Sequence, residues 1–158
     1  MDKNSILAFE EAARQVFREI GFSDMETFEL EAKANGTSEV VATVGITGRL
    51  LGYLSISGSL STASNCIRQM FQHLGMEEEE SGFGQVHREA LGELVNQICG
   101  RSSMLLEEMS IEIDITPPTI LIGSDIFFDI DKLEDLLHKK IVGEFGTFNL
   151  FVGIRSYS

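Results

Sequence analysis

A chain of 158 residues, 43% hydrophobic and 23% charged with only two prolines, has the composition of a globular protein. Its length fits one domain, residues 1–158, able to bury about 70% of the surface that the unfolded chain exposes. A formal net charge of −13 argues against nucleic acid and anionic membrane surfaces as partners and favours basic ones.

Ile6, Phe9, Ala13, Val16, Phe17 and Ile20 recur at helical spacing, with Gly21 as the stop, and predict a first helix from about Ser5. Phe28, Leu30, Ala32 and Ala34 alternate with charged residues, which predicts a strand with those four facing inward and a turn at Asn35-Gly36. Val40 to Thr47 and Leu50 to Ser57 read as two β runs around Gly48. A second helix, capped by Ser61 or Thr62, carries Ala63, Cys66, Ile67, Met70, Phe71 and Leu74 on one side. The acids Glu77 to Glu80 then read as a solvated loop.

The run from Gln85 to Leu106 predicts the helix around which the chain is organised. Leu91, Leu94, Val95, Ile98, Ser102 and Leu105 fall on its core side, and Glu89, Glu93, Asn96 and Gly100 fall on the other without a Lys or Arg among them. Glu93 and Asn96, three apart, are neighbours on the helix surface and aim at a common target. Gly92 and Gly100 each cost about 1 kcal/mol relative to alanine in a helix, and close approach of a partner's backbone would account for them.

Ile111, Ile113 and Ile115 then alternate with acids until Pro117-Pro118 interrupts them, which predicts an edge strand that resumes from Thr119 to Ile122. Asp131 and Glu134 can box a short helix carrying Leu133, Leu136 and Leu137. Ile141 to Phe145 and Phe148 to Arg155 form a last hairpin. Val44, Gly45, Gly48 and Ile56 match Val142, Gly143, Gly146 and Ile154 at the same spacing, so helix, strand and hairpin occur twice. The expected fold is an α/β (α+β) pseudo-two-fold sandwich of antiparallel strands with helices on one face.

Cys66 and Cys99 lack C-x-x-C spacing and read as buried hydrophobes, and His73, His87 and His138 show no zinc spacing, so no metal or other cofactor is expected to be bound by this chain. No stretch reaches the ~18 apolar residues of a membrane span, and Glu10 and Glu11 stand where an export signal would be apolar, so a cytoplasmic location is expected.

Taken together, the chain resembles the CheC/CheX/FliY family of phosphatases that act on response regulators in bacterial chemotaxis. The resemblance rests on Glu93-x-x-Asn96 with Glu89 four residues before and Gly100 four after, on the hairpin and helix from Gly45 to Met70, on Ile115-Thr116-Pro117-Pro118-Thr119, and on the last hairpin. With one such motif rather than two, the chain is similar to the CheX-like members. At position 89 those relatives carry Asp or Ser, and the segment from Asp125 to Lys139 is longer here than their link.

The resemblance implies hydrolysis of the aspartyl phosphate of a CheY-like response regulator, with the divalent metal (Mg) held by that regulator. It implies that Asn96 positions the attacking water and that Glu93 anchors the regulator's lysine, with Glu89, Gly92 and Gly100 as partner-binding positions. It also implies a homodimer. Two other readings stay open at this point: an adaptor that binds the regulator without hydrolysis, and an assembly protein whose sheet edges pair copies of itself.

Overall fold

The computed structural model describes residues 3–29, 38–77, 82–126 and 134–156. In chain order these form α1 (Lys3–Glu19), β1 (Glu26–Glu29), β2 (Ser38–Gly48), β3 (Leu50–Gly58), α2 (Leu60–His73), α3 (Gln85–Glu108), β4 (Ile113–Ile115), β5 (Thr119–Ile126), β6 (Asp135–Gly143) and β7 (Gly146–Ser156).

The seven strands make one antiparallel sheet in the order β1-β6-β7-β3-β2-β4, with β5 also on β2 beyond the Pro117-Pro118 break. Read from either end, the sheet has the same plan. Each of two hairpins, β2-β3 and β6-β7, takes the strand that precedes the other hairpin as its outer neighbour, so the repeats exchange their first strands. At the centre β3 pairs with β7, and Leu54 lies opposite Val152, the same distance apart in sequence as Gly48 and Gly146. Both of those glycines turn their hairpins with positive φ, +100° and +121°, where a side chain would be strained.

One face of the sheet is apolar and carries all three helices. Val40, Ala42, Val44 and Ile46 of β2, Leu54 and Ile56 of β3, and Leu150, Val152 and Ile154 of β7 share a single core with Phe9 and Val16 of α1, Cys66 and Ile67 of α2, and Leu91, Val95 and Ile98 of α3. Phe17, Phe22, Phe145 and Phe148 close one end, with successive ring centroids 5.0 to 6.1 Å apart. Burial pushes the thiols of Cys66 and Cys99 up to about 12, so both are inert apolar fillers at neutral pH.

Three local expectations change. Phe28 points outward, 49% exposed, while Thr27 turns inward, where its hydroxyl meets Arg14 and Glu10 of α1. A polar clamp to α1 set the register, and a one-residue slip exchanges the two faces of a strand. The cap of α2 is Ser59 rather than Ser61 or Thr62, its hydroxyl accepting from the Thr62 amide at 3.0 Å. Leu136 and Leu137 lie in β6, not in a helix, because they pair with Gly153 and Val152 of β7 in a strand whose later residues, Lys139 to Val142, also pair with β1. The last hairpin therefore starts at Asp135, which shortens the apparent link. On α1, Arg14 bonds to Glu10 and Thr27, and Lys139 lies 3.6 Å from Glu10. The Asn35-Gly36 turn and the segment around Asp131 lie outside the described residues.

The helix α3 spans 24 residues and is fixed at both ends. His87, fully buried at the third helical position, accepts the Gly84 amide on Nδ1 at 3.0 Å, the return half of a capping box that ties the N-cap residue to the first turn. At the far end Ser110 adopts φ 62° and the Ile111 amide returns to the Leu106 carbonyl at 2.9 Å. Ser102, on the core side, donates to the Ile98 carbonyl at 2.7 Å, so its buried hydroxyl is satisfied.

Candidate functional site

The packing of α3 decides what its other side can present. With Leu91, Leu94, Val95, Ile98 and Ser102 buried, Glu89 and Glu93 are exposed and Asn96 and Gly100 half-buried on the outer side. The structure thus brings Glu89, Glu93, Asn96 and Gly100 onto one continuous stripe. Among the described residues no hydrogen bond engages the Asn96 amide, whose oxygen and nitrogen are both available. A Cβ built on Gly100 would meet nothing within 4 Å, so the space beside Asn96 on that turn is open.

Neither carboxylate of the stripe is paired with a cation among the described residues. Each instead accepts from a glutamine four positions away: Gln85 Nε2 donates to Glu89 Oε1 at 3.0 Å, and Gln97 Nε2 donates to Glu93 Oε1 at 3.2 Å. Neutral amides orient the carboxylates without discharging them. Arg101, one turn beyond Gln97, is committed elsewhere. Its guanidinium forks onto both Glu19 oxygens of α1 at 2.8 and 2.9 Å and reaches Gln15 at 2.9 Å. This bond holds the Glu19 carboxyl below its usual range. The clamp's contribution is therefore complete at neutral pH and is lost as pH falls through that lowered value.

Gly92 belongs to a different contact. It is buried, and a Cβ there would lie 3.4 Å from Pro118 Cγ and 3.8 Å from Ile120 Cδ1. A Cβ would meet these neighbours at ordinary van der Waals distance, so Gly92 lies against the β4–β5 segment of its own chain rather than on an open surface. That segment is itself pinned to β2, since the Gly45 amide donates to Thr116 Oγ1 at 2.8 Å and the Thr116 amide to the Gly45 carbonyl at 3.0 Å.

The two glutamines and the Arg101 clamp were not among the residues that sequence reasoning singled out. The four-residue spacing of Gln85 to Glu89 and of Glu93 to Gln97 is the signal that could have found the first pair of contacts. The clamp joins residues from two distant helices and has no local signature. A separate cleft of about 610 Å³ at the C-terminal end of α3 is lined by residues including Arg49, Ser103, Glu107, Glu112 and Asp114, but not by Glu93 or Asn96. Among the described residues no group of three or more His, Cys, Asp or Glu could hold a metal ion, and no helix is long and apolar enough to cross a membrane.

An acid and an amide side by side on the outer side of a buried-faced helix, within a two-fold repeated sandwich, can be set against known proteins. Residues 40–136, which include the stripe, match the model of the family described as chemotaxis phosphatase CheX. The chain belongs to the CheX family. The CheY-P phosphatase CheX of Thermotoga maritima is 37% identical over 87 residues, which cover 55% of this chain and 54% of that protein. The chain thus spans about half the length of this curated relative.

Among solved structures, a CheC-like superfamily protein from Shewanella sp. PV-4 superposes with a TM-score of 0.81 at 18% identity, covering 99% of this chain and 100% of that one. A CheX-CheY-BeF3-Mg2+ complex from Borrelia burgdorferi matches with a TM-score of 0.78 at 22% identity, over 96% of this chain and 97% of that one. At these identities the two likenesses establish the CheX fold across nearly the whole chain.

Proposed function

We propose that this chain is a phosphatase that hydrolyses the aspartyl phosphate of a CheY-like response regulator, with Asn96 positioning the attacking water and Glu93 binding the regulator's lysine. The observation that carries the reading is the state of these two side chains. Both stand on the outer side of α3, the amide without a hydrogen bond and the carboxylate without a cation among the described residues. The family, and a relative named for CheY-P, supply the substrate class.

In this reaction the water oxygen forms a bond to phosphorus as the bond from phosphorus to the aspartyl oxygen breaks, giving an aspartate, inorganic phosphate and a proton. Such a transfer passes through a loose transition state and needs positioning and charge stabilisation more than covalent help. The Asn96 oxygen can accept from the water while its nitrogen donates to a phosphoryl oxygen. Being neutral, it neither repels the phosphoryl group nor competes for a cation. The divalent metal that neutralises the phosphoryl oxygens is proposed to come with the regulator. In the Borrelia complex, CheX and CheY occur together with BeF3 and Mg2+.

Glu89, one turn before Glu93, adds negative potential to the same approach path. Gly100 gives the regulator's backbone room, and this has a separable consequence. Gly100→Ala fills only open space, so it raises the melting temperature through a helix gain of up to about 1 kcal/mol, yet weakens binding of the regulator. Calorimetric melting and titration of the same variant read the two effects independently.

The proposed assembly is a cytoplasmic homodimer joined through the β5 edge. Among the described residues β5 pairs with β2 alone, and its Leu121 and Ile122 are 48% and 43% exposed. Leu121→Lys is expected to shift sedimentation equilibrium from dimer to monomer. A wild-type chain that sediments as a monomer at tens of micromolar, an order-of-magnitude choice for a weak edge contact, removes this part of the proposal.

The decisive experiment follows the decay of a phosphorylated cognate regulator with and without the chain. Acceleration supports the phosphatase. Binding with an unchanged decay rate makes the chain a regulator-binding adaptor instead.

A further inference from the structure

We propose that Gln97 is a positioning residue for regulator docking: it holds the Glu93 carboxylate by one oxygen and leaves the other oxygen, and the full negative charge, for a cation of the partner. The inference rests on the docking role given to Glu93 above.

An exposed glutamate on a helix samples several rotamers, and ordering it is part of the cost of any contact that it makes. Gln97 Nε2 donates to Glu93 Oε1 at 3.2 Å, so the carboxylate is oriented before the partner arrives. The donor is an amide, which leaves the charge in place. The same arrangement recurs at Gln85 and Glu89, at 3.0 Å, so each acid of the stripe has a neutral donor.

The position is informative because a better helix partner exists. Lysine four residues after glutamate is the favoured order for an ion pair on a helix, and a surface selected for stability alone would use it. Position 97 holds a neutral amide instead, so the Glu93 carboxylate is ordered and, among the described residues, still without a cation.

The test separates this role from helix support by the sign of two effects. Gln97→Lys supplies an internal counter-ion: it should melt no lower than wild type, yet raise both the KM for the phosphorylated regulator and the Kd for the regulator charged with beryllium fluoride by about tenfold, with kcat within about twofold. Gln97→Ala loses only the orientation and should raise both about twofold. Placed in a Glu93→Ala background, Gln97→Lys should add no further loss. In the free chain, the Gln97 side-chain amide resonances should move in Glu93→Ala.

The proposal is overturned if Gln97→Lys binds as wild type does, if its loss persists undiminished without Glu93, if kcat falls at constant KM, or if the amide resonances ignore Glu93. A wild-type chain that binds the charged regulator without hydrolysing the phosphate removes the catalytic reading and leaves Kd to judge Gln97. One that does not bind removes both.

Discussion

Asn96→Ala lowers kcat for regulator dephosphorylation by about 10²-fold while leaving the Kd for the charged regulator within about threefold. The size follows from what a positioned water contributes: loss of near-attack geometry by about 1 Å costs on the order of 10²-fold in rate. The split follows from where the residue acts, since a group that matters mainly in the transition state changes kcat more than binding. Folding should be untouched. Asn96 is half-buried, no hydrogen bond holds its amide among the described residues, and alanine is the better helix former. Asn96→Asp gives a second measurement with the shape kept. It places a negative charge beside the phosphoryl oxygens, so it should be at least as slow as alanine. Equal rates for wild type and both variants would remove Asn96 from the reaction.

That Glu93 and Asn96 face outward was legible in the sequence because of how α3 is encoded. A helix packed on one side writes its apolar positions at a 3.6-residue period, and Leu91, Leu94, Val95 and Ile98 do so without interruption, which fixes the outward direction of Glu93 and Asn96. The hairpin glycines are legible for a different reason. Gly48 and Gly146 occupy positive-φ turns that favour glycine, so both hairpins show the same residue at the same place.

What failed depends on partners distant in sequence. Leu136 and Leu137 carry a helical look, yet β6 is held by β1 and β7, and such pairing overrides local preference. Phe28 turned outward because Thr27 is bonded to Arg14 and Glu10, residues of another element. Gly92 read as room for a partner, but Pro118 of the same chain lies against it. The motif residues could be read from α3 alone, whereas their supports, Thr116, Pro118 and the Arg101 clamp, come from contacts between elements.

Glu93→Ala is the complementary experiment, with the effect in binding rather than in turnover at saturation. Truncating one side of a desolvated charged contact costs about 2 to 5 kcal/mol, much of it from the partner's ammonium left unpaired. The Kd for the charged regulator should therefore rise by at least about thirtyfold, with kcat/KM falling in parallel. Because Glu93 is exposed in the free chain and bonded only to Gln97 among the described residues, its removal should leave the melting temperature nearly unchanged. Salt gives an independent check. Wild-type binding should weaken as ionic strength rises, and the Glu93→Ala complex should show a shallower dependence, since one of the charges that steer the encounter is gone. Glu93→Lys should bind more weakly still, because it opposes a cation with a cation. If Glu93→Ala binds normally and loses only kcat, the carboxylate acts on the reacting water instead of on the partner, and the division of labour between the acid and the amide must be redrawn.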